Sequence, residues 1–277
     1  MTRARSVLIT GCSSGIGRDA ALGLHARGWR VFATARAQAD LDRLAGDGVE
    51  ALSLDYRDAE GMRTTLGEVL RRTGGTLDAL YNNGAYAIPG AAEDLPTDAL
   101  REIFEANVFG WHELTRQVIP VMRAQGHGRI VNCSSVLGLV PMRWRAAYVA
   151  TKYATEGLTD TLRLEMRDTP IHVITLQPGP VTSRIRANSI PHFERWIDWR
   201  ASPRRAQYEN TLLERLYGTR GPDTFEKHPS AVTSCLVHAL ESRRPRPRYR
   251  ITTPTRAMVA LRHLLPARAL DWIIARG

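Results

Sequence analysis

Ser6 to Thr10 form a short apolar run that feeds directly into Gly11-Cys-Ser-Ser-Gly15-Ile-Gly17, and Arg18 to Arg27 then read as a helix. A buried strand, a glycine-rich turn and a helix in that order leave a chain few folds to choose from. The backbone must turn sharply, and the glycines let a pyrophosphate approach the free N–H groups and positive dipole end at the helix N-terminus. The spacing is Gly-x-x-x-Gly-x-Gly rather than Gly-x-Gly-x-x-Gly, and the flanking strand and helix distinguish it from a loop that merely connects. A dinucleotide is the ligand that suits it. The end of the next strand, Arg30 to Ala35, decides which one. A carboxylate there would accept from a ribose 2′-hydroxyl, but Arg36 follows instead, and a guanidinium suits a 2′-phosphate that an Asp would repel. Ser13 and Ser14 add hydroxyl donors in the turn, so the cofactor reads as NADP(H).

Strand-then-helix alternation continues through the chain. Strands are expected near 6–10, 30–35, 49–54, 77–81, 129–134, 171–176 and 248–252, and helices near 15–27, 58–72, 97–124, 146–168 and 229–241. The 277 residues, 43% of them apolar, are enough for one sizeable core. The expected fold class is therefore α/β, a single domain over 1–277 with a doubly wound, parallel, seven-stranded sheet and helices on both faces. Residues 184–227 break the alternation with Phe193, Trp196, Trp199, Tyr208 and Tyr217. Ligands bind beyond the carboxyl ends of such strands, so this segment is expected to be a substrate lid, with a solvated helical hairpin as the alternative.

The chemistry is carried by Tyr148 and Lys152, four residues apart and therefore on one helix face. A phenol with its ordinary pKa of about 10 is a sluggish acid or base at neutral pH unless a fixed cation favours the phenolate. Lys152 is expected to supply that cation, and Ser135, after the apolar run from Gly128, is placed to hold the reacting oxygen.

With these motifs in order, the chain resembles the short-chain dehydrogenase/reductase superfamily over nearly its whole length, with the Rossmann fold that the family implies. Thr10-Gly-Cys-Ser-Ser-Gly-Ile-Gly17 resembles the family's cofactor turn, with Gly11, Ser13, Ser14, Gly15, Ile16 and Gly17 as its cofactor-binding positions. Asp55 matches the acidic residue that meets the adenine ring, and Asn82-Asn83-Gly84-Ala85 resembles the family's Asn-Asn-Ala-Gly segment with the last two residues inverted. Asn107 matches the residue that completes a catalytic tetrad with Ser135, Tyr148 and Lys152. Gln177-Pro178-Gly179-Pro180-Val181 is similar to the segment that wraps the nicotinamide, and Ser183 stands where a Thr is usual. The closer likeness is to bacterial NADP-dependent aldehyde reductases and the 17-beta-hydroxysteroid and retinol dehydrogenases. The resemblance implies reversible reduction of a carbonyl, with Tyr148 protonating the oxygen, Ser135 donating to it, Lys152 holding the nicotinamide ribose and Asn107 positioning a relay water. It also implies a homodimer or homotetramer paired through helices at 99–122 and 148–166. Leu137, Leu139, Val140 and Met142 add apolar character and suggest an aldehyde, retinoid or steroid substrate. The alternative is a catalytically silent NADP-binding regulator, which has no need of the proton-transfer set.

Composition bears on the remaining classes. The net charge of +10 raises nucleic-acid binding, yet 28 acidic residues are present and the basic ones are spread along the chain, so no nucleic-acid partner is expected. Their densest run, Arg243 to Arg250, is interrupted by prolines. After it, over 254–277, Met258, Val259, Leu261, Leu264, Leu265, Leu270, Ile273 and Ile274 alternate with Arg256, Arg262, Arg268 and Arg276. Such a basic amphipathic extension suits packing onto the domain or a partner subunit, or peripheral contact with an anionic membrane. Cys12, Cys133 and Cys235 form no Cys-x-x-Cys pair, the eight histidines show no ligand spacing, and the basic N-terminus leads straight into the first strand. A reduced, cytoplasmic setting without signal peptide or metal is expected.

Overall fold

The computed structural model describes residues 3–218, 221 and 223–275; Arg276 and three positions of the expected lid, 219, 220 and 222, lie outside them. Seven strands form one sheet: β1 (Ser6–Ile9), β2 (Arg30–Ala35), β3 (Glu50–Ser53), β4 (Ala79–Asn82), β5 (Gly128–Cys133), β6 (Ile171–Gln177) and β7 (Arg248–Arg250). Their order is β3-β2-β1-β4-β5-β6-β7, and every pairing is parallel. Parallel neighbours require crossovers, which the intervening helices provide. β1 and β4 are buried at every position, as strands covered on both faces must be, and this explains why they read as continuous apolar runs.

The covering helices are α1 (Gly15–His25), α2 (Gln38–Gly46), α3 (Ala59–Thr73), α4 (Thr97–Phe104), α5 (Gly110–Gln125), α6 (Ala146–Glu165) and, late in the chain, α10 (Ser230–Glu241). α1 packs against α10 and α3 against α5. Asp58 caps α3 by accepting from Gly61 N at 2.9 Å, and Gly74 ends it in the left-handed conformation. The helix expected over 97–124 is interrupted: between α4 and α5 the chain makes a π turn, Glu105–Phe109, that carries Asn107. The order reverses between β1 and β4, so loops at their carboxyl ends diverge and open the crevice in which such sheets bind ligands.

Residues 185–217 fold as α7 (Ile185–Trp196), the short α8 (Arg205–Gln207), a π turn at Tyr208–Leu212, and α9 (Leu213–Tyr217). They have a core of their own. Phe193, Ile197, Tyr208, Leu212 and Leu216 bury against Ile88, Ala99, Ile103 and Ala147. The Tyr208 hydroxyl donates to Asp94 Oδ2 at 2.7 Å and accepts from Ala91 N at 2.8 Å. Phe193 and Tyr208 thus pin this segment to the body, while Tyr217 stays half-exposed. After β7 come α11 (Thr253–Leu264) and α12 (Ala267–Ile274). Among the described residues no helix is long and apolar enough to cross a membrane.

Candidate active site

Gly11 leaves β1 at φ +68°, and a Cβ there would fall 2.4 Å from Gly84 Cα. Gly17, one turn into α1, has no room either, since its Cβ would meet Gly11 O at 2.3 Å. The turn is therefore built backbone against backbone, and a Cβ at 84 would stand only 3.3 Å from Gly11 N and Cα. Thr10 and Asn83 lock it: Thr10 Oγ1 accepts from Asn83 N at 2.9 Å and Gly84 N at 3.2 Å, while Asn83 Nδ2 donates to Thr10 O at 3.0 Å and Gly11 O at 3.2 Å. Ser14 caps α1 without spending its hydroxyl on the helix, which leaves it for a ligand. Gly15 faces Ser183 across a would-be Cβ gap of 3.2 Å, so the segment after β6 closes onto the turn. Half-buried Ile16 anchors the turn to the core.

Arg36 is exposed at the end of β2 and forms no ion pair among the described residues. Arg43 of α2 reaches back to donate to Ser13 O at 2.7 Å, a second cation at this corner that the sequence alone did not single out. Asp55 is taken up by Arg57, whose guanidinium and backbone N donate to it at 2.9 and 3.0 Å. Burial pushes its pKa up, but these bonds outweigh that and leave it lowered.

Beyond β5, the chain brings together the four residues of the expected tetrad. Ser135 Oγ accepts from Leu137 N at 3.1 Å, which keeps its own proton free. Val136 N donates to Pro178 O at 2.8 Å and ties the serine to the Pro178-Gly179 segment. Gly179 abuts Thr252 and Thr255 at the start of α11, and Val181 bridges to Lys227. Lys152 is 1% exposed; its Nζ donates to Cys133 O at 2.8 Å, 4.4 Å from the Trp111 ring centroid and 5.4 Å from that of Tyr148. Trp111 is fixed in turn by its Nε1 on Gly84 O at 2.7 Å. Burial lowers the Lys152 pKa to about 8, opposed by Cys133 and by Glu156, one helical turn on. Glu156 is itself buried and accepts both bonds of the Gln177 amide, at 3.0 and 2.9 Å.

Tyr148 is half-buried, and burial raises its pKa. Two groups pull it back: the Arg145 guanidinium and the Ser135 hydroxyl. The cation acting on the phenol is thus Arg145, one turn earlier on the same face, and not only the expected lysine. Asn107 is buried in its π turn, where Oδ1 accepts from Tyr86 N at 3.1 Å and Nδ2 donates to Tyr86 O at 2.8 Å and to Thr151 Oγ1 at 3.3 Å. Its amide is therefore engaged on both sides. Among the described residues no group of three or more His, Cys, Asp or Glu could hold a metal.

A glycine-built dinucleotide crevice leading to Ser, Tyr and Lys beyond the fifth strand defines an oxidoreductase of the short-chain dehydrogenase family, to which the chain belongs: the family model, short chain dehydrogenase, matches residues 5–192. The chain is 34% identical over 270 residues to the uncharacterized oxidoreductase YbbO of Escherichia coli K12, covering 98% of this chain and 94% of that one. A short-chain dehydrogenase from Streptomyces avermitilis superposes with a TM-score of 0.80 at 30% identity, covering 100% and 99% of the two chains. A point variant of actinorhodin polyketide ketoreductase with NADPH has a TM-score of 0.69 at 28% identity, covering 86% and 91%.

Proposed function

We propose that the protein is an NADP(H)-dependent reductase that interconverts an apolar aldehyde or ketone and its alcohol, with Tyr148 as the general acid. The observation that carries this reading is the buried Lys152, held by Cys133 O beneath the Tyr148 ring beside a serine whose proton is free. A bound NADPH supplies the hydride that reduces the carbonyl carbon. Tyr148 gives its phenolic proton to the carbonyl oxygen, so that charge does not accumulate there. Ser135 donates to the same oxygen. Once Tyr148 is a phenolate, the charges of Lys152 and Arg145 stabilise it, and a water at the Asn107 turn returns a proton through Lys152.

The chain fits the cofactor. Gly11, Gly15, Ile16 and Gly17 would take the pyrophosphate, Ser13, Ser14, Arg36 and Arg43 the 2′-phosphate corner, and Asp55 the adenine. Asn83, Gly84, Tyr148 and Lys152 would hold the ribose on the nicotinamide side, and Pro178, Gly179, Val181 and Ser183 the nicotinamide. Unpaired Arg36 and the likeness to a ketoreductase solved with NADPH support the phosphorylated form. Residues 185–217 roof this end of the site as a pinned lid. Leu264 and Trp272 are exposed on α11 and α12, in keeping with peripheral membrane contact, and the three free cysteines with a reduced, cytoplasmic compartment.

The test is NADPH oxidation with aliphatic aldehydes, retinal and ketosteroids, run beside NADH and the Tyr148→Phe variant. Turnover that prefers NADPH and falls by about three orders of magnitude or more in the variant, with cofactor affinity nearly kept, is expected. A variant with wild-type turnover would sink the assignment.

A further inference from the structure

Arg145 lies one helical turn before Tyr148, within electrostatic reach of its phenol. Its guanidinium's only hydrogen bond among the described residues is a long one, 3.5 Å, to the carbonyl of its neighbour Trp144, and no carboxylate forms an ion pair with it, although Asp223 acts on it through space. Two further guanidiniums act on it: Arg215 from α9 and Arg186 from the first turn of α7. Both of these reach the same oxygen, Oδ2 of Asp223, each at 3.5 Å, the outer limit of a hydrogen bond. Arg215 Nε is buried with no partner. Glu226 acts on Arg186 more weakly, and its two oxygens already accept from Thr182 Oγ1 at 2.7 Å and Asp223 N at 2.9 Å. Three arginines therefore converge on one loosely held carboxylate, next to the proton donor.

Guanidiniums gathered together are costly unless anions pair with them, and although Arg186 and Arg215 keep 28% and 32% of their side chains exposed, the Arg215 Nε is withdrawn from water. The chain holds them there all the same. Trp144 adopts φ +65°, a conformation a bulky residue avoids, while its carbonyl accepts from Gly90 N at 3.1 Å and its ring packs 4.7 Å from Tyr208. That backbone sets where Arg145 leaves the start of α6. The lid supplies the other two arginines, so the cluster exists only where lid and catalytic helix meet.

We propose that Arg145, Arg186 and Arg215 form a binding site for an anionic oxygen group, carboxylate or phosphate, carried by the substrate whose carbonyl is reduced at Tyr148. This rests on the reductase reading and narrows it: the substrate is an apolar carbonyl compound with an acidic end, not a neutral aldehyde. Planar guanidiniums match both oxyanions in bidentate geometry, and an incoming anion satisfies the Arg215 Nε proton and the unpaired Arg145 together.

The experiment compares matched pairs with the NADPH-loaded enzyme: succinic semialdehyde against butanal, 9-oxononanoate against nonanal, and dihydroxyacetone phosphate against dihydroxyacetone. In the wild type, kcat/KM for the anionic member of one pair exceeds that for its neutral partner by about tenfold or more, and this ratio collapses by a similar factor in Arg145→Met and Arg215→Met. Whichever pair discriminates tells carboxylate from phosphate. Nonanoate and glycerol 3-phosphate, which have no carbonyl to reduce, are titrated in parallel by calorimetry. Arginine-dependent binding of either without any turnover sustains the anion site and removes the reductase reading. Equal kcat/KM within every pair in the wild type overturns the proposal, even if both variants fail to fold. So does a weakened NADPH affinity in the variants at an unchanged ratio, which would assign the arginines to the cofactor's own phosphates.

Discussion

Burial favours the neutral form of both Lys152 and Tyr148 and so moves their pKa values in opposite directions, and their pH behaviour follows. The ammonium, normally titrating near 10.5, is brought down to about 8, while the phenol is pushed up and stays protonated through the neutral range. Reduction needs the phenol protonated and the lysine charged, so kcat/KM for reduction is expected to hold up to about pH 8 and fall above it as Lys152 loses its proton. For stability the sign is reversed. Between about 8 and 10.5 the unfolded chain binds the Lys152 proton and the folded one does not, so the cost of burying this lysine is relieved as pH rises through that window. Urea melts of the wild type and Lys152→Met at both ends of it will differ in slope with pH if this is right. At the other end of the crevice, Arg36→Asp replaces an unpaired cation with a charge that repels a 2′-phosphate. NADPH affinity should drop by about 10- to 100-fold, the loss of a charge-assisted bond, with NADH affinity rising or unchanged in a fluorescence titration.

At the scale of elements, backbone proximity and the lid govern. A Cβ on Gly17 would lie 2.3 Å from Gly11 O, and neither is a movable side-chain end. Gly17→Ala is expected to cost about 1–3 kcal/mol, the range of overpacking, with weaker NADPH binding; a thermal melt with and without cofactor measures both. Residues 185–217 are tied to the body by Tyr208, whose hydroxyl serves Asp94 and Ala91 at once, and by Ser202, which also donates to Asp94. Tyr208→Phe leaves Ala91 N without its partner, while Asp94 keeps the bond from Ser202 Oγ at 2.7 Å, and is expected to lose about 1–3 kcal/mol in a urea melt. Unchanged stability would mean that residues 185–217 are held by their apolar packing and their other polar contacts, such as Arg195 with Glu102. Strands and the first helix were legible from composition, because a strand buried on both faces reads as an apolar run and a glycine-rich turn has its own signature. The π turn at Asn107 was not legible. The sequence through 97–124 has one helical period, and the extra residue in the turn follows from how Tyr86 and Thr151 hold the Asn107 amide.

In the whole molecule, the sheet order reverses at the β1/β4 divide, and large apolar side chains lie on the outer faces of its helices. Phe109 in the π turn and Leu158 and Leu164 on α6 are exposed although large and apolar. We propose that these apolar faces bury in a dimer or tetramer, so light scattering should give a multiple of the 30.9 kDa chain mass, and Leu158→Arg should lower it. By itself the sequence determined the fold class, and it singled out the glycine-rich turn and the proposed proton-transfer set, because each depends on neighbours along the chain: periodicity, turn residues and the four-residue step from Tyr148 to Lys152. Only the tertiary structure decided which charges meet. It placed Phe193 and Tyr208 in a core rather than against open space, brought Arg145 in with Lys152 as a second cation near Tyr148, and set Arg186 and Arg215 on a single shared carboxylate. Pairing of charge is a matter of distance through space, and in a chain so rich in arginine the sequence carries no mark of which ones folding sets beside a carboxylate and which it does not.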